Sequence, residues 1–505
     1  MTIWDFLVIG LFGLMMLAIG RYYSNRTQSA DDYLLGGRNL NPFMVGLSLF
    51  ATLTSTLSYL AYPGEIVKHG PMIFASMAGF PVVFFIVGWL LIPSIMKLNA
   101  TSAYELLEAR LGRLGRLLGS GMFISLRMIW MAAILYATTA TVVVPIFKLD
   151  PKWIPLICAA MGAFTVIYTT AGGFRAVIMT DAIQSLVMIG GAIVTIGLIT
   201  WSLGGVDPWF PDHWLDHWAP PEFWHREGAR FTFVGAITNM LVWMICTTGS
   251  DQMAVQRYLS TRDVRAARWT LAVHLASDVV VATLLGLMGL AVLGYYFANT
   301  HQFAGLIDIF ANEKSADKLF PQFIVVGLPP GMTGLIIAAI LSAALSSLSS
   351  GVNSSCAVIT HDFMNIISPR HLTPREGVRR ARIVSAVVGV VIVLLSMFIQ
   401  WLFMMEYVDN LIALCMKVVN LLTAPIFVLF FLAMFIPWST PIGGLFAVIA
   451  AVTVAIGVAF FEWWGLNFLF IGAMSLIAGI GVGILVSGIE RAIRGKRPDN
   501  TTVAG

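Results

Sequence analysis

The sequence predicts an all-α polytopic membrane protein of about thirteen transmembrane helices, and three observations carry that reading. First, 58% of the 505 residues are hydrophobic and only 11% are charged, against about 25% charged in soluble domains; mean hydropathy is +0.85. Second, apolar segments of bilayer-spanning length, about 20 residues each, recur from end to end. Third, Lys and Arg collect in alternate loops. The pI near 8.9 reflects those basic loops and says nothing about nucleic acid; no nucleic-acid partner is expected, the expected surroundings are a lipid bilayer, and no obligate protein partner is evident.

The spans, in order, are 3–23, 42–68, 71–96, 117–147, 153–171, 177–203, 231–257, 267–297, 331–360, 381–403, 408–436, 441–462 and 467–488. The first is too long for a signal peptide and lacks a small-residue cleavage site, so it reads as a retained helix. Arg21, Arg26 and Arg38 follow the first span, Lys97, Arg110, Arg113 and Arg116 the third, Arg257, Arg262, Arg265 and Arg268 the seventh, Arg370, Arg375, Arg379, Arg380 and Arg382 the ninth. The tail, 490–505, opens with Arg491, Arg494, Lys496 and Arg497. The intervening loops carry only Lys68, Lys148, Lys152, Arg226, Arg230, Lys314 and Lys318. A cell-membrane protein with its N-terminus outside and C-terminus in the cytoplasm follows, and opposite sides require an odd number of spans.

The loops are too short to hold a separate domain. Segment 102–116 reads as an amphipathic cytoplasmic helix with Ser102 and Glu105 as a capping box. The 204–230 loop carries Trp209, Trp214, Trp218 and Trp224 between prolines, for an interfacial aromatic layer or a lid. Gly36-Gly37 and Gly172-Gly173 read as turns at cytoplasmic helix ends. Cys158, Cys246, Cys356 and Cys415 all lie in apolar segments, which suggests neither a disulfide framework nor a metal cluster. No Walker loop or nucleotide fingerprint appears, which argues against ATP-driven pumping. His361-Asp362 lacks companions at catalytic spacing, so an enzyme is not expected.

The chemistry is concentrated inside the membrane. Ala343, Ser346, Ser347 and Ser350 share one helical face and Ser349 lies beside it. Neutral hydroxyls suit a hard, weakly held cation such as Na+; otherwise they bond to the preceding turn or pack helices. In the second span, Thr52, Thr54, Ser55, Thr56 and Ser58 precede Pro63-Gly64. These weak helix formers suggest an interrupted helix whose freed carbonyls line a cavity, or else a small-residue packing face. Ionisable residues at membrane depth are costly. Asp181 reads either as a cation ligand shared with Ser346, Ser349 and Ser350 or as the partner of Arg175 or another cytoplasmic arginine. Arg127 sits early enough in its span to snorkel inward. Lys417 could meet a solute carboxylate or pair with Glu406 or Asp409.

Taken together, several segments resemble the sodium:solute symporter family. They are Ser29-Ala30-Asp31-Asp32-Tyr33-Leu34-Leu35-Gly36-Gly37-Arg38, Thr101-Ser102-Ala103-Tyr104-Glu105, Ile167-Tyr168-Thr169-Thr170-Ala171-Gly172-Gly173-Phe174-Arg175-Ala176-Val177 with Thr180-Asp181, and Gln256-Arg257-Tyr258-Leu259-Ser260, with the serine run. The resemblance implies a LeuT-like fold: a leading helix (3–23), two inverted five-helix repeats (42–203 and 231–436) and two extra helices (441–489). It implies a sodium site of the Ala51 and Thr54 carbonyls with Ala343, Ser346 and Ser347. It also implies a second site of Asp181, Ser346, Ser349 and Ser350, and hence one Na+ or two. For the substrate, Met77 and Trp130 fall at positions the sialic-acid members use, Ser55 and Ser58 remain as polar contacts, and Lys417 would suit an anion. Met77 and Trp130 stand where the sialic-acid members carry Gln and Arg, which makes the pocket look apolar for sialic acid. The expected function is sodium-coupled import of a small-molecule solute by alternating access, best an organic anion such as a monocarboxylate. A sugar or sialic acid is the alternative, and a transporter-like sensor the alternative of another class.

Overall fold

The computed structural model describes residues 1–97, 100–218, 220–224, 231–306, 313–367, 373–404 and 411–494. These residues form helices and connecting turns, with no β-strand among them. Among the described residues, ten helices are long and apolar enough to cross a membrane, and one further pair, Pro42–Leu53 and Thr56–His69, passes together despite a 67° bend.

Two glycines divide long helical runs, and one of them, Gly173, accounts for two predicted spans appearing as a single run. Pro151–Leu203 runs for 53 residues, about 80 Å at 1.5 Å per residue, against a hydrocarbon core of about 30 Å. Gly173 divides it. Its φ of 63° is left-handed, and a Cβ there would come within 3.0 Å of the Tyr33 carbonyl oxygen. Gly112, with φ 64°, likewise sets Glu105–Leu111 off from the rest of Glu105–Ile146. That short piece is the amphipathic segment expected near 102–116. Only half of its capping box forms: Glu105 accepts from the amide of Ser102 at 2.9 Å, whereas the Ser102 hydroxyl donates to Asp362 at 2.5 Å.

Two spans are broken rather than bent. Thr54 (φ −87°, ψ 114°) and Ser55 (φ −101°, ψ 169°) are extended between two helices, as the run of hydroxyl residues predicted. The second break was not foreseen: 231–257, read as one span, is Phe233–Ser250 and Gln252–Leu259, separated by Asp251 (φ −76°, ψ 133°). Asp251 caps the second piece by accepting from the amide of Met253 at 2.8 Å, the usual role of Asp at a helix start.

Met332–Met364, hereafter the serine helix, is the centre of the bundle, with 89% of its apolar window buried. It packs on Pro42–Leu53, Thr56–His69, Glu105–Thr138 and Ile154–Leu203. The leading helix Ile3–Ser24 is peripheral, with 22% of its window buried. Phe468–Ile493 and Pro441–Phe461 pair with each other at the other edge. The tryptophans of the outer loop divide. Trp209 and Trp218 are buried, and the Trp218 indole donates to the Val67 carbonyl at 3.0 Å over Gly70; Trp214 and Trp224 are exposed. The loop therefore covers the end of Thr56–His69 as well as presenting aromatic rings outward.

Candidate functional site

The serine helix meets the first break face on. The Ser346 hydroxyl donates to the Ala51 carbonyl at 2.7 Å and lies 3.3 Å from the Ala343 carbonyl. The Ser347 hydroxyl is 3.0 Å from the Thr52 carbonyl and 3.5 Å from that of Thr54. Across the same gap, Thr56 donates to the Ile340 carbonyl at 3.1 Å. All five residues expected at the first sodium site are therefore brought together, and each of the five is buried. The break is what makes this possible: it strips carbonyls of their helical partners and turns them toward two hydroxyls. The result is a cluster of uncharged oxygens, the donor set a hard monovalent cation needs. Thr52, which the sequence reading did not include, holds the nearest carbonyl to Ser347.

About one turn further along the serine helix, the character of the site changes. Asp181 is fully buried, and its carboxylate accepts from Ser48 at 2.7 Å, Ser350 at 2.9 Å and Ser349 at 3.3 Å. It does not pair with Arg175, which reaches Asp32 instead at 2.9 Å. Its ion-pair partner is Arg257, at 2.9 Å, with no exposed side-chain surface on either residue. Arg257, expected among the loop charges after the seventh span, lies instead fully buried inside the bundle. Its guanidinium also donates to Thr52 at 2.5 Å, Ser350 at 2.6 Å and Ser48 at 2.9 Å. Of the four residues expected at the second sodium site, Ser349 and Ser350 contact Asp181, whereas Ser346 turns to the first cluster. A carboxylate with a guanidinium against it is already neutralised, which distinguishes this cluster from the first.

Nor does Arg127 snorkel, as its place early in its span suggested it would; it is buried and ion-paired to Asp251 at the second break. His361-Asp362 forms a structural tie, in which Asp362 accepts from Ser102 and Ser120 and pairs with Arg116 at 2.7 Å. Among the described residues no group of three or more His, Cys, Asp or Glu is placed to hold a metal.

The expected substrate residues are spread around the break. Ser55 is buried at the N-terminus of Thr56–His69, where its hydroxyl accepts from the amide of Ser58 at 3.4 Å. Trp130 packs with Leu57, Ala133 and Ala137. Met77 belongs to a different apolar cluster, with its sulfur 3.6 Å from the Thr283 hydroxyl. The side chain of Lys417, and Glu406 and Asp409 as its alternative partners, lie outside the described residues. The sequence reading missed Asp278 and His274, on Val264–Ala298. Asp278 Oδ1 lies 3.5 Å from the Thr54 hydroxyl, and Oδ2 lies 3.6 Å from His274 Nε2. Asp278 Oδ2, both His274 ring nitrogens and the Tyr62 hydroxyl are buried without a hydrogen-bond partner. The signal was available: His274 and Asp278 are four residues apart inside an apolar span, where an ionisable residue by default marks function.

The sodium:solute symporter family profile matches residues 33–451. The chain belongs to that family. It is 29% identical over 478 residues to a sodium/sialic acid symporter of Proteus mirabilis, an alignment covering 92% of each chain. It is 28% identical to the human sodium-coupled monocarboxylate transporter 1, covering 90% of this chain and 73% of the relative. Among solved structures, the outward-open, substrate-bound state of a Na+-coupled sialic acid symporter superposes with a TM-score of 0.85 at 26% identity, covering 97% of this chain and 98% of the other. Membership places the chain among multi-span secondary transporters rather than enzymes, with the LeuT-like fold and sodium-coupled solute transport of that family.

Proposed function

We propose that this symporter takes up a small acidic solute with Na+, and that the cluster of Ala51, Thr54, Ala343, Ser346 and Ser347 holds the coupling ion. The observation that carries this is the convergence of unpaired carbonyls from the first break on two serine hydroxyls at 2.7–3.5 Å. Both elements would have to stay together for the ion to remain bound. Na+ therefore favours whichever state of the alternating-access cycle keeps the broken helix against the serine helix, and it drives transport only through that difference in affinity. Each tenfold sodium gradient supplies about 1.4 kcal/mol, and the membrane potential adds about 2.3 kcal/mol per charge per 100 mV.

A thirteen-span layout accommodates the chain. Counting the broken pair as one span gives eleven, the Gly173 break makes Pro151–Leu203 two, and Leu411–Phe435 is the thirteenth. The breaks at Thr54–Ser55 and Asp251 fall in the first helix of each proposed repeat, 42–203 and 231–436, as an inverted repeat requires. We place the N-terminus outside and the C-terminus in the cytoplasm, from the distribution of Lys and Arg. One Na+ per cycle is the reading the oxygen cluster favours. A second ion at Asp181, Ser346, Ser349 and Ser350 would have to share the carboxylate with Arg257.

For the solute, a sialic-acid-like sugar acid ranks ahead of a simple monocarboxylate. Two of the comparisons above concern sialic acid symporters. In addition, the atoms of Asp278, His274 and Tyr62 that lack partners would be met by the hydroxyl groups of a sugar, which a short monocarboxylate does not carry. The solute carboxylate would lie at Ser55 and Ser58, where the N-terminus of Thr56–His69 favours an anion; Lys417 is a second candidate. Met77 and Trp130 would then form the apolar wall. Uptake of radiolabelled sialic acid and of lactate into proteoliposomes, with NaCl or KCl outside, tests the proposal. Sodium-dependent uptake of the sugar acid is expected; sodium-dependent uptake of lactate alone would restore the monocarboxylate reading.

A further inference from the structure

A basic cavity of about 500 Å³ opens between the end of the leading helix and the start of Pro374–Met404. Arg375, Arg379 and Arg382 line it together with Ser24, Thr27 and Gln28. The three arginines are spaced i, i+4 and i+7, so one helical face presents all of them. Arg382 is anchored: it donates to Ser24 Oγ at 3.3 Å and to the Ala171 carbonyl at 3.2 Å. Its Nε is buried without a partner. Arg375 and Arg379 are exposed, and among the described residues no carboxylate pairs with any of the three. Glu376, the acidic residue on this turn, is turned to the helix start, where it accepts from Thr373 at 2.9 Å.

An apolar groove runs on from the cavity. The leading helix and Pro374–Met404 both pack on Ile154–Leu203. Gly20 abuts Tyr168 and Gly389 abuts Val166, so the stretch of helix around Ile167 lies between them. Ile167 is 60% exposed there. From Arg382 the exposed face continues through Ile383, Val387, Val390 and Leu394, a 3.6-residue stripe. Three arginines without acidic partners at one end of an aliphatic groove match an amphiphile with an anionic head and a long tail. The geometry points to a binding site for an anionic phospholipid, with the phosphate among Arg375, Arg379 and Arg382 and an acyl chain along Ile383–Leu394. Basic pockets between membrane helices recognise headgroups in this way. Zwitterionic lipid lacks the net charge, and free phosphate lacks the tail.

The test uses the full-length protein in mixed detergent–lipid micelles, read by thermal stability and by lipid retention in native mass spectrometry. Dioleoylphosphatidylglycerol, dioleoylphosphatidylcholine and inorganic phosphate are titrated in parallel. Phosphatidylglycerol should raise the melting temperature and stay bound, while the other two do neither. In Arg375→Gln/Arg379→Gln, where only exposed side chains change, affinity for phosphatidylglycerol should fall roughly thirty-fold, about fivefold per arginine. Arg375→Lys/Arg379→Lys should keep most of it. Equal effects of phosphatidylglycerol and phosphatidylcholine would overturn the site. So would a phosphate effect as large as that of phosphatidylglycerol, or undiminished binding by the Gln variant.

Discussion

Two polar clusters lie side by side on the serine helix, and they are built on opposite principles. Around Ser346 and Ser347 every oxygen is neutral, and the carbonyls of Ala51, Thr52 and Thr54 come from a stretch where the helix is interrupted. Around Ser349 and Ser350 the hydroxyls surround a full ion pair, Asp181 with Arg257. The first arrangement leaves oxygen ligands whose charge need is unmet, so a cation would stabilise it. The second is electrically complete, so its contribution is to hold Pro42–Leu53, Ile154–Leu203, Gln252–Leu259 and the serine helix together. Serine content alone does not separate them; the charge beside the serines does.

The largest effect should come from breaking the charged cluster. Arg257→Met leaves the Asp181 carboxylate buried without a counter-ion, which typically costs about 3–5 kcal/mol. We expect a sharp loss of folded protein by fluorescence-detected size exclusion, with much of it regained in the Asp181→Asn/Arg257→Met pair. Failure of the double variant to recover would mean that the guanidinium hydrogen bonds, not the charge balance, hold the helices.

Next comes the neutral cluster. Ser346→Ala and Ser347→Ala each remove one oxygen from the proposed ion shell. At about 1.5–3 kcal/mol for a contact to a charged group, the half-saturating Na+ concentration in uptake should rise at least tenfold, with melting temperature in KCl barely changed. A sodium response equal to wild type in both variants would remove the site.

A finer effect separates the clusters in Asp181→Asn/Arg257→Gln, judged by the sodium Hill coefficient. If only the neutral cluster binds Na+, the coefficient stays the same as in wild type. A fall would show that the carboxylate cluster takes an ion despite Arg257. The smallest effect is expected at the edge of the proposed solute pocket. Asp278→Asn keeps the shape and should raise the KM for a sugar acid a few-fold while leaving sodium affinity within about twofold; a change in sodium affinity larger than that in KM would put Asp278 in the ion site instead.

How far the sequence reached follows the same divide. The interrupted second span was legible because Thr52 to Ser58 is a local run of weak helix formers, and the serine face because helical periodicity puts Ser346, Ser347 and Ser350 together. Arg257 was misassigned because it stands five residues from Arg262 in a basic stretch. Only the tertiary fold, with a break at Asp251, carries it inward. That break was hidden because a single Asp interrupts an otherwise apolar pattern, and Arg127 gave no hint of being its partner 124 positions away. The Gly173 division was marked correctly by its glycine pair. The Asp278–His274 pair was visible in the sequence but lay in a helix with no other feature to draw attention to it.

The most direct test of the sodium assignment is the thermal stability of purified wild-type, Ser346→Ala and Ser347→Ala protein in NaCl and in KCl. A Na+-specific rise in melting temperature is expected for the wild type, enlarged by the transported solute, and strongly reduced in both variants. Equal melting temperatures in Na+ and K+ for the wild type, or an undiminished Na+ response in both variants, would contradict it.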